Sequence, residues 1–309
     1  MKVIVIGGNG FVGRNVVEIL QKNDVETHIF SRKTGFDLQF LTTNDEQAKL
    51  LRNADYIINC AANVGSLNYV TDKAAEIIDT NSKMILNLYY LLTRVKTTAT
   101  IINPIANCGF PGKSSLYDES DFWNGELHQS VVSYGMTRRL LTVVSDCYNM
   151  QYGIKSINYY VPNMYGEYDS TDPNKAHALN ALVSRFVKAN HEETKEIKLW
   201  GTGEPIREWL YAKDFSRIIL ETINRQDDFS ENINIGQKSG ISVKDLANMI
   251  SVDIGFSGDI IYDTTKQDGA PEKVMNNKKF KERFPFFEFT DFFDGLEHTV
   301  DYYESIYPY

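Results

Sequence analysis

MKVIVIGGNGFVGRNVVEIL, residues 1–20, sets the reading of the whole chain. Val3 to Ile6 form a short apolar run, the pattern of a strand buried on both faces. Glycines follow at positions 7, 10 and 13, and apolar residues then recur at helical spacing from Val12 to Leu20. A glycine loop between a strand and a helix allows a tight turn. It also lets the backbone approach a pyrophosphate, whose charge rests on the helix N-terminus. Gly7, Gly10, Phe11, Val12 and Gly13 are therefore the first candidate contacts of a dinucleotide.

The same rhythm continues outward. Val25 to Phe30 (VETHIF) reads as a second strand, and DYIINCAA (55–62) and ATIINP (99–104) as further short strands, each followed by a loop. Residues 79–95 and 133–153 have helical spacing, the second closed by Gly153. KSINYYVPNMYG (155–166) returns to strand and ends at Pro162. Strands alternating with helices predict an α/β fold with a doubly wound parallel sheet. After Gly166 the alternation breaks into loops, a helix near 178–189 and a mixed C-terminal third. The expected division gives residues 1–163 and 207–237 to a dinucleotide-binding domain of Rossmann type. Residues 164–206 and 238–309 would form a smaller mixed substrate lobe, with the site in the cleft between them. The aromatic stretches FPFFEF (284–289) and YPY (307–309) are expected to pack that second lobe, or else to serve an interface.

Composition narrows the function. The 309 residues carry 32 Lys and Arg against 41 Asp and Glu, a net charge of −9. That balance argues against nucleic acid as a partner, and an anionic ligand would need locally concentrated positive charge. Cys60, Cys108 and Cys147 are too far apart for a metal spacing or a disulfide framework, as in a reducing cytoplasm. The apolar run at the N-terminus is too short for a signal peptide or a membrane span.

Two places bear on chemistry. The second strand ends at Ser31 and Arg32. An acid there would bind the ribose hydroxyls of NAD, whereas an arginine can hold the extra phosphate of NADP. Arg32 can equally be solvated or stack on adenine. Asp37 and Leu38 follow, where a backbone and a short acid could meet the adenine. Farther on, VVSYGMTRRL places Arg138 one helical turn after Tyr134. A phenol titrates at about 10 unless perturbed, and a cation on the same helix face favours the phenolate. Arginine supplies that charge without a readily transferable proton. A tyrosine–arginine pair is also common on solvated helix faces.

Over almost its full length the chain resembles the extended short-chain dehydrogenase/reductase family, and within it the GDP-fucose synthase group. GGNGFVG (7–13) resembles the family glycine loop, and NCAANVG (59–65) the cofactor-flanking loop, with Cys60, Ala61 and Ala62 toward the cofactor and Val64 toward substrate. Asn81 matches the helix asparagine of extended members, and Tyr134 the catalytic tyrosine. VPNMYG (161–166) resembles the loop seating the nicotinamide, which implies cofactor contacts from Pro162 and Met164 and a substrate contact from Asn163. NKAHALNALV (174–183) puts His177 at the position of an acid, and Cys108 in ANCGFP (106–111) matches its epimerising partner, although His177 could equally bind the sugar or cap a helix and Cys108 be a small buried residue. WGTGEPIREWLYAKDF (200–215) and DGAPEKVM (268–275) are similar to the segments that meet a nucleotide-sugar diphosphate, implying Trp200, Arg207 and Lys273 as substrate contacts. Two departures stand out: Ala106 replaces the family serine, leaving Asn107 beside it as a candidate substrate contact that, like the Cys108 thiol, could partly replace the hydroxyl, and Arg138 replaces the family lysine.

The resemblance, together with the altered tyrosine helix, points to oxidation of a nucleotide sugar with NAD. The expected substrate is GDP-D-glycero-D-manno-heptose, taken to its 4-keto form in capsule biosynthesis, with Tyr134 as phenolate base. That branch uses NAD, and Arg32 leaves NADP open. The alternatives are a GDP-4-keto-6-deoxymannose epimerase-reductase or related 4-keto reductase, which accounts better for Cys108 and His177, and a non-catalytic nucleotide binder. Surplus apolar surface on the two long helices, at Met84, Ile85, Leu88, Leu91 and Leu92 and at Leu140, Leu141, Val143, Val144, Cys147 and Tyr148, predicts a symmetric dimer or dimer of dimers.

Overall fold

Each apolar strand of the large sheet feeds two cores, because successive side chains point to opposite faces. In the computed structural model, which describes residues 1–112, 116–226, 231–266 and 268–309, the sheet order is β2-β1-β3-β4-β6-β11. These strands are β1 (Lys2–Ile6), β2 (Glu26–Phe30), β3 (Tyr56–Asn59), β4 (Thr100–Ala106), β6 (Ser156–Val161) and β11 (Ile233–Asn234), all parallel. Ile4 and Ile6 pack with α2 (Asp45–Arg52), α4 (Ala74–Val95) and α5 (Val132–Tyr152). Val3 and Val5 pack with α1 (Phe11–Lys22) and α7 (Ala212–Arg225) on the other face. The strand order reverses at β1, between β2 and β3. The loops leaving β1 and β3 thus diverge at the carboxyl edge, where open α/β sheets bind ligands.

The remaining strands are short. β7 (Asn163–Tyr165) pairs with β10 (Trp209–Tyr211), and β8 (Glu196–Trp200) with β13 (Asp259–Asp263). β5 (Leu116–Tyr117), β14 (Glu272–Met275), β9 (Ile206–Arg207) and β12 (Ile241–Ser242) form a mixed four-stranded sheet. A third core joins α6 (Ala178–His191), α8 (Val243–Ile254) and α10 (Phe292–Ile306) through Val183, Phe186, Leu246, Ile250, Leu296 and Tyr303. The short helices α3 (Leu67–Asp72) and α9 (Lys278–Arg283) complete the described elements. Among the described residues no helix is long and apolar enough to cross a membrane.

Two local expectations are corrected. The run ending at Pro104 does not stop there: β4 continues to Ala106. Proline lacks an N–H to donate, yet β3 pairs with β4 only as far as Ile102, so beyond that point the ladder is carried by β6 alone. FPFFEF does not pack the second lobe. Phe284 is buried in the core beneath the large sheet with Phe280, Phe287 and Phe289 pack against the same core, and Phe286 is fully exposed. The YPY end does reach the smaller lobe, where the Tyr309 hydroxyl donates to Ser184 O at 2.7 Å.

Candidate active site

The three loop glycines have three different jobs. Gly7 has φ +77°, and a Cβ there would lie 2.8 Å from the Cys60 carbonyl carbon, so this glycine makes the turn and lets the β1 and β3 loops touch. At Gly13 a Cβ would lie 2.2 Å from Gly7 O, so this glycine lets α1 close against the loop. Gly10 is exposed, and a Cβ there would meet nothing nearer than Gly7 O at 3.3 Å. It leaves an open approach at the N-terminus of α1, which a pyrophosphate fits. Phe11 is buried and Val12 half-buried at the start of that helix.

Beside this loop the Ser31 hydroxyl donates to Asn9 Oδ1 at 2.5 Å, and Ser31 caps a 3₁₀ turn running from Arg32 to Thr34. Arg32 and Lys33 are exposed and make no ion pair among the described residues. Lys33 was missed in the sequence, although its adjacency to Arg32 was the available signal. Asp37 pairs with Thr42 through the backbone, and Asp37 Oδ1 accepts from Gln39 N at 2.8 Å. Leu38 is 4% exposed within the core, and its carbonyl accepts from Asn87 Nδ2 at 2.7 Å. The Leu38 side chain therefore belongs to the core, which leaves only its backbone for an adenine contact.

Asn81 is fully buried and also serves the protein itself. Its Nδ2 donates to Asn63 O at 2.8 Å, and its Oδ1 accepts from Asn63 N at 3.0 Å and from Arg138 Nη2 at 3.4 Å. It clamps the loop after β3 to α4 and α5. In that loop Ala61 and Val64 are half-buried and Ala62 exposed, while burial pushes the Cys60 thiol up to about 12. Pro162 and Met164 are buried where β6 passes into β7, with Asn163 half-exposed between them.

Tyr134 sits near the start of α5 against the turn formed by residues 107–109. The Arg138 guanidinium carbon is 4.7 Å from the Tyr134 ring centroid, stacked on the ring. The Tyr134 hydroxyl makes no hydrogen bond among the described residues. Burial raises its pKa, Arg138 offsets that in part, and Cys108 adds to the rise. Arg138 does pull toward the phenolate as expected, but desolvation is the larger effect and the net direction is up. The Cys108 thiol is likewise raised by burial, with Lys273 and Arg138 opposing. Two buried donors here lack any protein acceptor, Asn107 Nδ2 and Arg138 Nε. A buried N–H without a partner costs about 1–3 kcal/mol, so this donor-rich pocket fits a ligand bearing acceptors, as the ribose and amide of a dinucleotide do.

A second group gathers positive charge. Arg207 and Lys273 stand opposite each other in the β9–β14 ladder. Lys273 is buried, its Nζ donates to Asn107 O at 3.2 Å, and burial depresses its pKa to about 8, with Cys108 pulling the other way. Burial also lowers the Arg207 pKa. Lys273 and Arg207 both act on His128, whose pKa falls mainly through burial. Behind them Glu208 is fully buried, and its carboxylate accepts from the backbone N–H groups of Lys238 at 2.9 Å and Met275 at 3.0 Å. Burial lifts its pKa to about 7 against those bonds. Glu208, absent from the expected site, braces β14 and hence Lys273. Its adjacency to Arg207 in the sequence was the only hint.

His177 precedes α6. Its backbone N–H donates to Asp169 Oδ2 at 2.7 Å, and its Nδ1 lies 3.1 Å from both Asp169 oxygens. Burial lowers its pKa, but Asp169 more than compensates, so the net direction is up. Its ring lies 5.1 Å from that of Phe11, at the mouth of the glycine loop. No hydrogen bond joins it to Tyr134 or Cys108. Trp200, at the end of β8, is 55% exposed with Lys266 Nζ 5.4 Å from its ring centroid, apart from the Tyr134 group.

A parallel sheet with an open glycine loop at its switch point defines a dinucleotide-binding α/β protein. The chain belongs to the NAD dependent epimerase/dehydratase family, which it matches over residues 3–236. It is 26% identical over 315 residues to the GDP-L-fucose synthase of Dictyostelium discoideum, covering 98% of this chain and 96% of that one. The fold is similar to that of a GDP-6-OMe-4-keto-L-xylo-heptose reductase from C. jejuni, with TM-score 0.86 and 22% identity over 98% of this chain and 97% of that one. It is also similar to the GDP-mannoheptose C4 reductase of Campylobacter jejuni with NADP bound, with TM-score 0.80 and 23% identity over 98% of each chain. These findings overturn the expected oxidising heptose 4-dehydrogenase, because the relatives are named as a synthase and as keto-sugar reductases.

Proposed function

We propose that the protein is an NADPH-dependent reductase of a GDP-linked 4-keto sugar, of the epimerase-reductase kind. One observation carries the reading: Tyr134, whose hydroxyl has no hydrogen-bond partner among the described residues, and Lys273 both lie against the turn formed by residues 107–109, with Arg207 opposite Lys273 in the β9–β14 ladder. A protonated phenol is the form that reduction of a ketone requires, since it donates a proton to the carbonyl oxygen. Bound NADPH would supply the hydride. Arg207 and Lys273 would hold the sugar-nucleotide diphosphate, which answers the need for local positive charge in an acidic chain. Arg32 and Lys33, exposed and without ion pairs, would hold the 2′-phosphate that distinguishes NADPH, so the reading departs from the NAD expectation. Cys108 and the Asp169-supported His177 would serve epimerisation. On this reading the large sheet and its helices bind the dinucleotide, and the four-stranded sheet that carries Arg207 and Lys273 receives the sugar nucleotide. The test is to supply GDP-4-keto-6-deoxymannose with NADPH or NADH and follow loss of the reduced nicotinamide's absorbance. Faster turnover with NADPH supports the reading. Absence of turnover on GDP-4-keto sugars with either cofactor rejects it.

Lys273 makes the binding step pH-dependent. It must be protonated to hold a diphosphate, and in the free protein it loses its proton near pH 8. Affinity for GDP-mannose, whose phosphates do not titrate in that range, is expected to fall as pH rises through about 8. Lys273→Met should bind weakly and lose this step. Because the folded-state pKa is depressed, Lys273 has the opposite effect on stability without ligand, where its contribution is lost as pH falls through about 8. Calorimetry across that interval checks the first expectation, and thermal unfolding checks the second.

We also propose a symmetric dimer. Leu141, Val144, Ile85, Leu88, Leu91 and Leu92 belong to the core, so most of the apolar surplus read from the sequence is spent internally. A second set stays exposed on the outer faces of the same two helices: Ile78, Leu86 and Tyr90 on α4, and Val132, Met136 and Val143 on α5. Paired across a two-fold axis, these would bury one another. Met136→Glu combined with Val143→Glu is expected to convert a dimer to a monomer in light scattering at micromolar protein, with the fold retained.

A further inference from the structure

Asn107 is 7% exposed, and its Nδ2 finds no acceptor among the described residues. Its backbone carbonyl is already occupied by Lys273 Nζ at 3.2 Å, and the next residue, Cys108, presses on α5, where a Cβ at Gly135 would come within 2.6 Å of Cys108 O. The amide is thus fixed in a rigid turn at the carboxyl end of β4, beside the Tyr134 helix, with two N–H bonds and no partner. The side chain of Ala106, one residue before it, offers no donor. Buried polar groups are left unpaired rarely, and those that are need an explanation. Here the missing partner is an acceptor brought by a ligand.

We propose that Asn107 is the second hydrogen-bond donor to the reacting oxygen, acting with Tyr134. This rests on the reductase reading. Hydride from the reduced nicotinamide adds to the ketone carbon and the C=O π pair moves onto oxygen. That oxygen takes the Tyr134 proton and leaves a phenolate that solvent reprotonates. Asn107 Nδ2 donates to the same oxygen throughout and bonds it most strongly as negative charge builds, so the contact lowers the barrier more than it tightens ground-state binding.

The experiment compares wild type, Asn107→Ala, Asn107→Asp and the double variant Ala106→Ser/Asn107→Ala in NADPH-dependent reduction of a GDP-4-keto sugar. KM, NADPH affinity and thermal unfolding are measured alongside. Asn107→Ala is expected to lower kcat by ~10²-fold, the scale of losing one oxyanion donor, while KM and NADPH affinity change little. Asn107→Asp keeps the shape, offers no N–H when ionised, and should lose as much. Moving a hydroxyl to position 106 in the double variant should recover part of the loss, which a purely structural role for Asn107 does not predict. Wild-type kcat in either single variant overturns the proposal, as does a kcat loss in Asn107→Asp that merely parallels a loss of folding stability. If wild type itself fails to reduce any GDP-4-keto sugar, the reductase reading falls instead.

Discussion

Tyr134→Phe is expected to lower kcat for ketone reduction by ~10³-fold, within the span that a positioned general acid contributes, and to leave the affinity for NADPH and GDP-sugar unchanged. The substitution removes one oxygen. The Tyr134 hydroxyl makes no hydrogen bond among the described residues, so no buried partner is orphaned by its loss. The ring stays, and with it the stacking of Arg138 on its face at 4.7 Å. Stability should therefore hardly move, which separates loss of the proton donor from misfolding. Stopped-flow measurement of a single turnover checks the chemical step, and fluorescence titration checks binding. A variant that turns over at the wild-type rate would remove Tyr134 from the reaction.

The second large effect is a contrast between two glycines three residues apart. In Gly13→Ala the new methyl would lie 2.2 Å from Gly7 O and 2.7 Å from Gly8 Cα, both backbone atoms. The helix or the loop must move, at a cost of about 1–3 kcal/mol of stability, and dinucleotide binding should be lost with the loop geometry. In Gly10→Ala the new methyl meets only Gly7 O at 3.3 Å, and the backbone there is extended with φ −87°. Thermal stability should be nearly unchanged, while the methyl stands where a pyrophosphate would approach, so cofactor affinity should fall by ~10-fold or more for a loss of over about 1.4 kcal/mol. Equal melting temperatures for the two variants, or undiminished cofactor binding in Gly10→Ala, would contradict this division of labour.

Much of the fold was legible because its signals are local. The run from Val3 to Ile6, the glycines, the helical spacing that follows and the helix stop at Gly153, which takes φ +68°, are properties of neighbouring residues. The site was legible only as a set of positions. Tyr134, Arg138, Cys108, Asn107, Lys273 and Arg207 were all singled out, and the structure brings the first five around one turn, with Arg207 opposite Lys273 in the β9–β14 ladder. Their protonation and partners were not legible. A cation one helical turn from a phenol suggested a phenolate, but desolvation is a sum over every atom packed around the ring, and that sum favours the phenol. Asn81 illustrates the same limit, since nothing near it in the chain says that its amide is consumed by Asn63 and Arg138.

By itself, then, the sequence determined the alternation of strand and helix, the glycine loop and the residues available for chemistry, because backbone preference and hydrophobic period act within a few residues. Only the tertiary structure decided that Arg207 and Lys273 face each other across a ladder, that Leu38 belongs to the core, and that Asn107 keeps a buried donor without a partner. Those facts depend on strand register and on burial by segments distant in the chain, which no local pattern encodes.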